Sequence, residues 1–310
     1  MTARQGVRSW RSGRAAQILG CQHWKCLEAY KGETLTRPAK RGPLLIVGGT
    51  EAPCEGSDIL GRFVELAGGP DAPIAVLTAA STIPQQVWRD YRAGFEKAGA
   101  RHCVHVRVDD RANAADETTV AAVGAARGIF ISGGDQKRLM AHVGGTPLHE
   151  ALRTAVLERG ACLAGTSAGA SALGVHMVTD GRAEFSPEKG AVGMAAGLGV
   201  VPHCVLDQHF SQRHRINRLL TLVAADPGLT GIGIDEDTGL LLAPDGAVEV
   251  IGAGAVTIVD GRHMQSNLAE IDEGGMPTML DVRVHVLQSG TTYETLPPVL
   301  MPVLQPIFPR

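Results

Sequence analysis

The chain has 310 residues, of which 44% are hydrophobic and 20% charged, with a net charge of −3 at pH 7. This composition suits a globular protein able to bury a large core, and it excludes collagen-like, coiled-coil and wholly disordered chains. No apolar run approaches the ~18–20 residues of a bilayer-spanning helix, so no membrane is expected, and six cysteines are too sparse for a disulfide framework.

The charge is unevenly placed. Residues 1–42 carry nine Lys/Arg against Glu28 and Glu33, a net of +7, which leaves −10 on the remainder. This basic leader lacks the apolar core of a secretory signal; it reads as a transit peptide, an upstream-placed start or a disordered arm. A basic arm also suits nucleic acid, but nothing in the acidic body supports such a partner, and none is expected. Cys21, His23 and Cys26 in the leader have no second Cys/His pair at zinc-ligand spacing, so no metal is expected. The fold is therefore read from residue 43.

Leu44-Leu45-Ile46-Val47 is a short apolar run ending in Gly48-Gly49, the pattern of a strand buried on both faces. Ile74–Leu77, Cys103–Val106, Gly128–Ile131 and Ala161–Ala164 repeat it. Between them, residues 85–99, 118–126 and 148–158 carry helical patterns, the first with Val87, Tyr91 and Phe95 one turn apart. Alternating strands and helices predict an α/β fold: a mostly parallel sheet with helices on both faces. A further strand is expected over 200–206 and another over 231–234. Beyond about residue 240, short strands at 248–251, 255–258 and 282–286 lack intervening helices and predict an antiparallel C-terminal extension. The organisation expected is a leader (1–42), a body (43–290) and a Pro-rich tail (291–310).

In such sheets ligands bind at the carboxyl ends of the strands, and the unusual residues fall there. Gly165-Thr166-Ser167-Ala168-Gly169 follows an apolar run directly and has the form G-x-S-x-G. That strand-to-helix turn is so sharp that only small residues fit around an exposed nucleophile. A nucleophilic Ser needs a base. Among 11 histidines His209 stands out, in Asp207-Gln208-His209-Phe210-Ser211-Gln212-Arg213, with Arg215 and Arg218 following; His203 and His214 are weaker candidates. On a strand Asp207 and His209 would share a face. Three arginines at a helix start oppose the dipole, which makes sense if an anionic ligand or buried acids compensate them. A triad also needs a carboxylate to orient the imidazole. Glu184 and Glu188 offer one, and Asp235-Glu236-Asp237 another; spacing alone does not choose. Ser132-Gly133-Gly134-Asp135-Gln136, at another strand end, brings backbone N–H groups close to a ligand. The backbone of Gly134, Asp135 and Ala168 is the expected oxyanion site. Gly48-Gly49-Thr50-Glu51 is not G-x-G-x-x-G, so no dinucleotide is expected.

These pieces, in this order over roughly residues 43–290, resemble the cyanophycinases, of the serine peptidase family that also holds the aspartyl dipeptidase peptidase E. The matching stretches are Gly48-Gly49-x-Glu51, Gly133–Gln136, Gly165–Ala170, Asp207–Arg213 with Arg215 and Arg218-Leu219, and Gly231–Glu236. The resemblance implies a class I glutamine amidotransferase-like fold with Ser at the elbow and no cofactor. It implies a cytoplasmic homodimer that cleaves cyanophycin, a polyaspartate carrying arginine on its side chains, to β-aspartyl-arginine. Ser167 is then the nucleophile and His209 the base. Glu184 is the favoured acid and Glu236 the alternative. Gln136, Asp207, Gln208, Arg213, Arg215, Arg218 and Glu51 would bind substrate. The runner-up substrate is a short aspartyl peptide, as for peptidase E. Two other classes compete: an α/β-hydrolase esterase using Asp260 with His263 or Asp281 with His285, and a binding module that keeps the fold without the activity.

Overall fold

The computed structural model describes residues 41–50, 58–181, 185–293 and Leu300. The leader up to residue 40, Glu51, Glu184 and nearly all of the tail lie outside the described residues. Arg41 and Gly42, assigned by composition to the leader, belong to the body. Arg41 is buried and donates to Leu242 O and Ala243 O, and Gly42 N–H donates to Val156 O at 2.8 Å.

The first half alternates as the periodicity predicts. β1 (Leu44–Val47) leads to α1 (Asp58–Ala67), β2 (Ile74–Leu77) to α2 (Pro84–Lys97), and β3 (Cys103–Val106) to α3 (Glu117–Ala125). β4 (Gly128–Ile131) precedes α4 (Gln136–Val143) and α5 (Pro147–Leu157), and β5 (Cys162–Thr166) runs into the short α6 (Ala168–Ser171). The five strands pair in parallel in the order β1-β5-β4-β2-β3.

Both faces of this sheet are covered, which is why its strands read as continuous apolar runs rather than alternating ones. Leu45, Val47, Ile74, Val76 and Phe130 face α1 and α2, where Phe63, Tyr91 and Phe95 complete an aromatic cluster. The Phe130 and Phe95 rings stand edge to face at 5.4 Å, a favoured quadrupolar geometry. Leu44, Ile46, Leu77, Ile129 and Ile131 point the other way, among Leu139, Leu152 and Val156 of α4 and α5.

The second half differs from a simple continuation of that sheet. β6 (His176–Gly181) and β7 (Val192–Ala196) form a separate hairpin. β8 (Cys204–Gln208) begins four residues later than the apolar run at 200 suggests, because Pro202 and exposed His203, with φ 52°, intervene. After α7 (Ile216–Ala225), β9 (Thr230–Ile234) pairs in parallel with β8, not with the main sheet. β10 (Thr238–Leu242) then inserts antiparallel against β1, and β11 (Val248–Gly252) extends that edge. β12 (Ala255–Asp260) returns to pair with β9. A small β13 (Gln265–Ser266) and β14 (Met279–Leu280) pair follows, and β15 (Arg283–Gln288) closes the second sheet in the order β15-β12-β9-β8. β16 (Thr292–Tyr293), where composition predicts tail, pairs with β11 at the edge of the eight-stranded sheet. The antiparallel C-terminal extension thus feeds both sheets. They share one core, since Leu206, Ile232, Ile234, Val256 and Ile258 pack with Leu44, Ile46 and Leu240. No helix among the described residues is long and apolar enough to cross a membrane.

Candidate active site

The carboxyl ends of β1, β5, β8 and β9 converge. At the end of β5 the chain reverses through Ser167, whose φ of 51° and ψ of −115° lie in a region that L-residues rarely occupy. The flanking glycines are required by close approach. A Cβ on Gly165 would stand 2.6 Å from Gly169 O, and one on Gly169 would stand 2.4 Å from Ile131 O. Ser167 N–H donates to Val47 O at 3.1 Å, and Ser171 Oγ donates to Leu206 O at 3.2 Å. The elbow is therefore fastened to β1 on one side and β8 on the other.

His209 follows the last residue of β8. Its φ of 49° turns it out of the strand, so the face-sharing expected of Asp207 and His209 ends at Gln208. His209 N–H donates to Gly48 O at 2.9 Å, and the imidazole lies against Gly49, where a Cβ would come within 2.4 Å of Cε1. Nε2 is 2.8 Å from Ser167 Oγ, and Nδ1 is 2.7 Å from Glu236 Oε1. The carboxylate on His209 is thus Glu236. Glu184 lies outside the described residues, and Glu188 is tied by its N–H to Thr221 Oγ1 of α7. Burial lowers the His209 pKa below its ordinary value. The Glu236 hydrogen bond works against this, and the nearby Arg213 and Arg215 charges add to it.

The expected oxyanion donors separate. Asp135 N–H is already given to Ala80 O at 2.9 Å, so Asp135 is removed from that set. Its side chain caps α4 by accepting from Lys137 and Arg138 N–H. The N–H groups of Gly134 and Ala168 make no hydrogen bond among the described residues, and neither does that of Gly133, the other member of the glycine pair, which the expected oxyanion set left out. A Cβ on Gly133 would lie 3.2 Å from Ser167 Cβ, so this backbone borders the nucleophile directly.

The basic run divides as well. Asp207 is fully buried and takes Arg218 Nε at 2.8 Å, Arg218 Nη2 in a shorter contact, and Arg215 Nη1 at 3.2 Å. Arg215 also donates to Gln208 Oε1 at 2.7 Å, and burial lowers its pKa to about 10. Asp207, Gln208, Arg215 and Arg218 form an internal network rather than a surface open to ligand. The buried acid compensates Arg215 and Arg218. Gln136 Nε2 donates to Val178 O at 2.8 Å and braces β6. Arg213 alone of the three arginines is exposed, beside His209.

The esterase alternatives fall elsewhere. Asp260 pairs in register with Thr230, at the opposite end of β9 from Ile234, and is held by Arg262 at 2.8 Å. Asp281 accepts from Gln265 at 3.2 Å. Among the described residues, no group of three or more His, Cys, Asp or Glu is arranged to hold a metal ion.

The model of peptidase family S51 matches residues 44–250. The cyanophycinase of Synechococcus elongatus is 40% identical over 255 residues, covering 82% of this chain and 79% of that protein. That of Geminocystis herdmanii is 39% identical over 82% of this chain and 94% of its own length. The cyanophycinase of a Nostoc species is 35% identical over 91% and 95%. Among solved structures, a peptidase from an acI-B1 Actinobacterium superposes with a TM-score of 0.61 at 23% identity, covering 83% of this chain and 98% of its own, a likeness of fold.

Proposed function

Because this chain belongs to peptidase family S51 and is a serine-type peptidase, we propose that it hydrolyses cyanophycin to β-aspartyl-arginine, with Ser167 as nucleophile, His209 as base and Glu236 as the acid of the triad. The observation that carries this reading is the unbroken hydrogen-bonded chain from Ser167 Oγ through His209 to Glu236, at 2.8 and 2.7 Å.

Glu236 accepts the Nδ1–H of His209, so Nε2 bears the lone pair that takes the Ser167 proton. Ser167 Oγ then bonds to the scissile amide carbon, and the carbonyl oxygen becomes an oxyanion. The N–H groups of Gly134 and Ala168, unpaired among the described residues and joined by that of Gly133, supply its stabilisation, each donor contributing about 3 kcal/mol. His209 returns its proton to the departing amine. Water, deprotonated by the same imidazole, releases the acyl group and restores Ser167. Lowering the His209 pKa by burial keeps the base unprotonated near neutral pH.

The substrate presents both carboxylates and guanidinium groups. Exposed Arg213 is the group we assign to a substrate carboxylate, since Arg215 and Arg218 are engaged by Asp207. Glu51 is retained for the guanidinium. The cyanophycinase relatives at 35–40% identity over 82–91% of this chain support the polymer as substrate. The same reading makes the protein a cytoplasmic homodimer. Exposed Val284 and Val286 on the edge strand β15 support self-association.

The test is to mix purified protein with insoluble cyanophycin and follow turbidity together with β-aspartyl-arginine release, assaying α-aspartyl dipeptides in parallel. Clearing that is abolished in Ser167→Ala is the expected result. An unchanged suspension beside rapid dipeptide cleavage would make the enzyme a peptidase E-like dipeptidase instead.

A further inference from the structure

Two loops meet at the triad, one after β8 carrying His209 and one after β9 carrying Glu236. Strand pairing aligns them only as far as Gln208 opposite Ile234. Beyond that point each chain passes through a left-handed residue, His209 at φ 49° and Asp237 at φ 48°. Such conformations persist only where the surroundings over-determine them.

Among the described residues, four ties cross between the loops. Phe210 N–H donates to Ile234 O at 3.1 Å, and Ser211 N–H donates to Asp235 Oδ1 at 3.0 Å. The third is the His209–Glu236 bond itself. In the fourth, Glu236 N–H donates to Gln212 Oε1 at 3.1 Å. The first two stop short of Glu236. Gln212 is exposed, yet it is the side chain from the histidine loop that holds the backbone of the acid.

We propose that Gln212 is a positioning residue: by accepting the Glu236 N–H it fixes the backbone from which the Glu236 carboxylate is aimed at His209 Nδ1. This rests on the Ser167–His209–Glu236 reading given above. A glutamate has three side-chain torsions between backbone and carboxylate, and the Glu236 side chain is 30% exposed. Freed at its N–H, the residue can turn its carboxylate to water and leave Nδ1 without an acceptor. Thr238 Oγ1 holds the Glu236 carbonyl at 2.9 Å but leaves the N–H side open. The charged groups around the imidazole are Glu236 on Nδ1 and the Arg213 and Arg215 guanidiniums, with the neutral Ser167 hydroxyl on Nε2. Asp235 is committed to Ser211 and Ala255 N–H, and Asp237 stands near Asp58. Gln212 itself is neutral, so removing it changes geometry and not charge.

The experiment compares Gln212→Met, which has similar length but no acceptor, with Gln212→Glu, which still accepts and adds a negative charge. Glu236→Gln is measured in parallel. For Gln212→Met, kcat on cyanophycin should fall about three- to tenfold, the worth of one hydrogen bond to a polar group, with KM and the thermal midpoint unchanged. The acid limb of its kcat/KM profile should move to lower pH, because His209 loses part of the carboxylate that favours its protonation. Gln212→Glu should recover most of the kcat and move the limb to higher pH. A Gln212→Met enzyme within about twofold of wild type, or with an unmoved acid limb, would overturn the proposal while Glu236→Gln remains impaired. A fully active Glu236→Gln enzyme would end the triad reading and this inference with it.

Discussion

Replacing Gly49 by alanine should disable the enzyme and leave it folded. Gly49 has φ 106°, and a Cβ there would stand 2.4 Å from His209 Cε1 and 2.9 Å from Nε2. Ordinary van der Waals contact begins near 3.4 Å, so the imidazole must withdraw by about 1 Å, the well being steeply repulsive inside that distance. The bond from Nε2 to Ser167 Oγ, now 2.8 Å, would then open beyond hydrogen-bonding range. A displacement of this size at reacting groups costs roughly 10²-fold in rate, or about 2.7 kcal/mol of transition-state stabilisation. The fold loses less, since a strained backbone position costs on the order of 1–3 kcal/mol against a total stability of about 5–15 kcal/mol. Steady-state kcat on cyanophycin and a thermal melt, run side by side, measure both. Gly61→Ala and Gly124→Ala serve as controls: both lie in helices with open space where the Cβ would go, and each should stabilise by up to about 1 kcal/mol without changing kcat. A Gly49→Ala enzyme with kcat near wild type would refute the view that this glycine exists to seat the imidazole.

The pH profile gives another check: burial and the neighbouring arginines lower the His209 pKa, so the acid limb of kcat/KM should lie below 6.5. Arg213→Met removes a charge that opposes imidazole protonation, so it should move that limb to higher pH, less so at high salt, while raising KM. Asp207→Asn leaves Arg215 and Arg218 buried around a neutral side chain; urea unfolding should show a loss of about 3–5 kcal/mol, and a loss below about 1 kcal/mol would contradict the network. Val286→Lys on the exposed edge of β15 should convert a dimer to monomer in sedimentation without loss of fold. A wild-type protein already monomeric at micromolar concentration would refute the assembly.

Much of this protein is written locally. Leu44–Val47, Ile74–Leu77 and Gly128–Ile131 are buried on both faces, so each reads as an apolar run bounded by turn residues. The elbow is legible for the same reason: the glycines on either side of Ser167 answer to contacts within the turn and to the adjacent strand end. Thr238–Leu242 is buried as fully as β1, but nothing in five residues states that it will insert antiparallel beside β1. The tie of Asp207 to Arg215 and Arg218 spans only eight and eleven residues; that the acid is fully buried is not legible in that spacing.

The choice of the acid lay outside the sequence. Glu184, Glu188 and Glu236 are all carboxylates, and their chain distances from His209 carry no energy. Glu236 sits 27 residues beyond His209 and meets it because β8 and β9 pair with Gln208 opposite Ile234, which brings the two following loops side by side. Likewise Asp135 lost its oxyanion role to Ala80 O, a partner more than fifty residues earlier. Residue types and local periodicity determined the strands, the elbow and its serine, because these depend on neighbours a few positions away. Tertiary structure alone decided which carboxylate meets His209, which N–H groups stay unpaired among the described residues and which arginine stays exposed, because hydrogen-bond partners are allotted by strand register and burial across the whole fold.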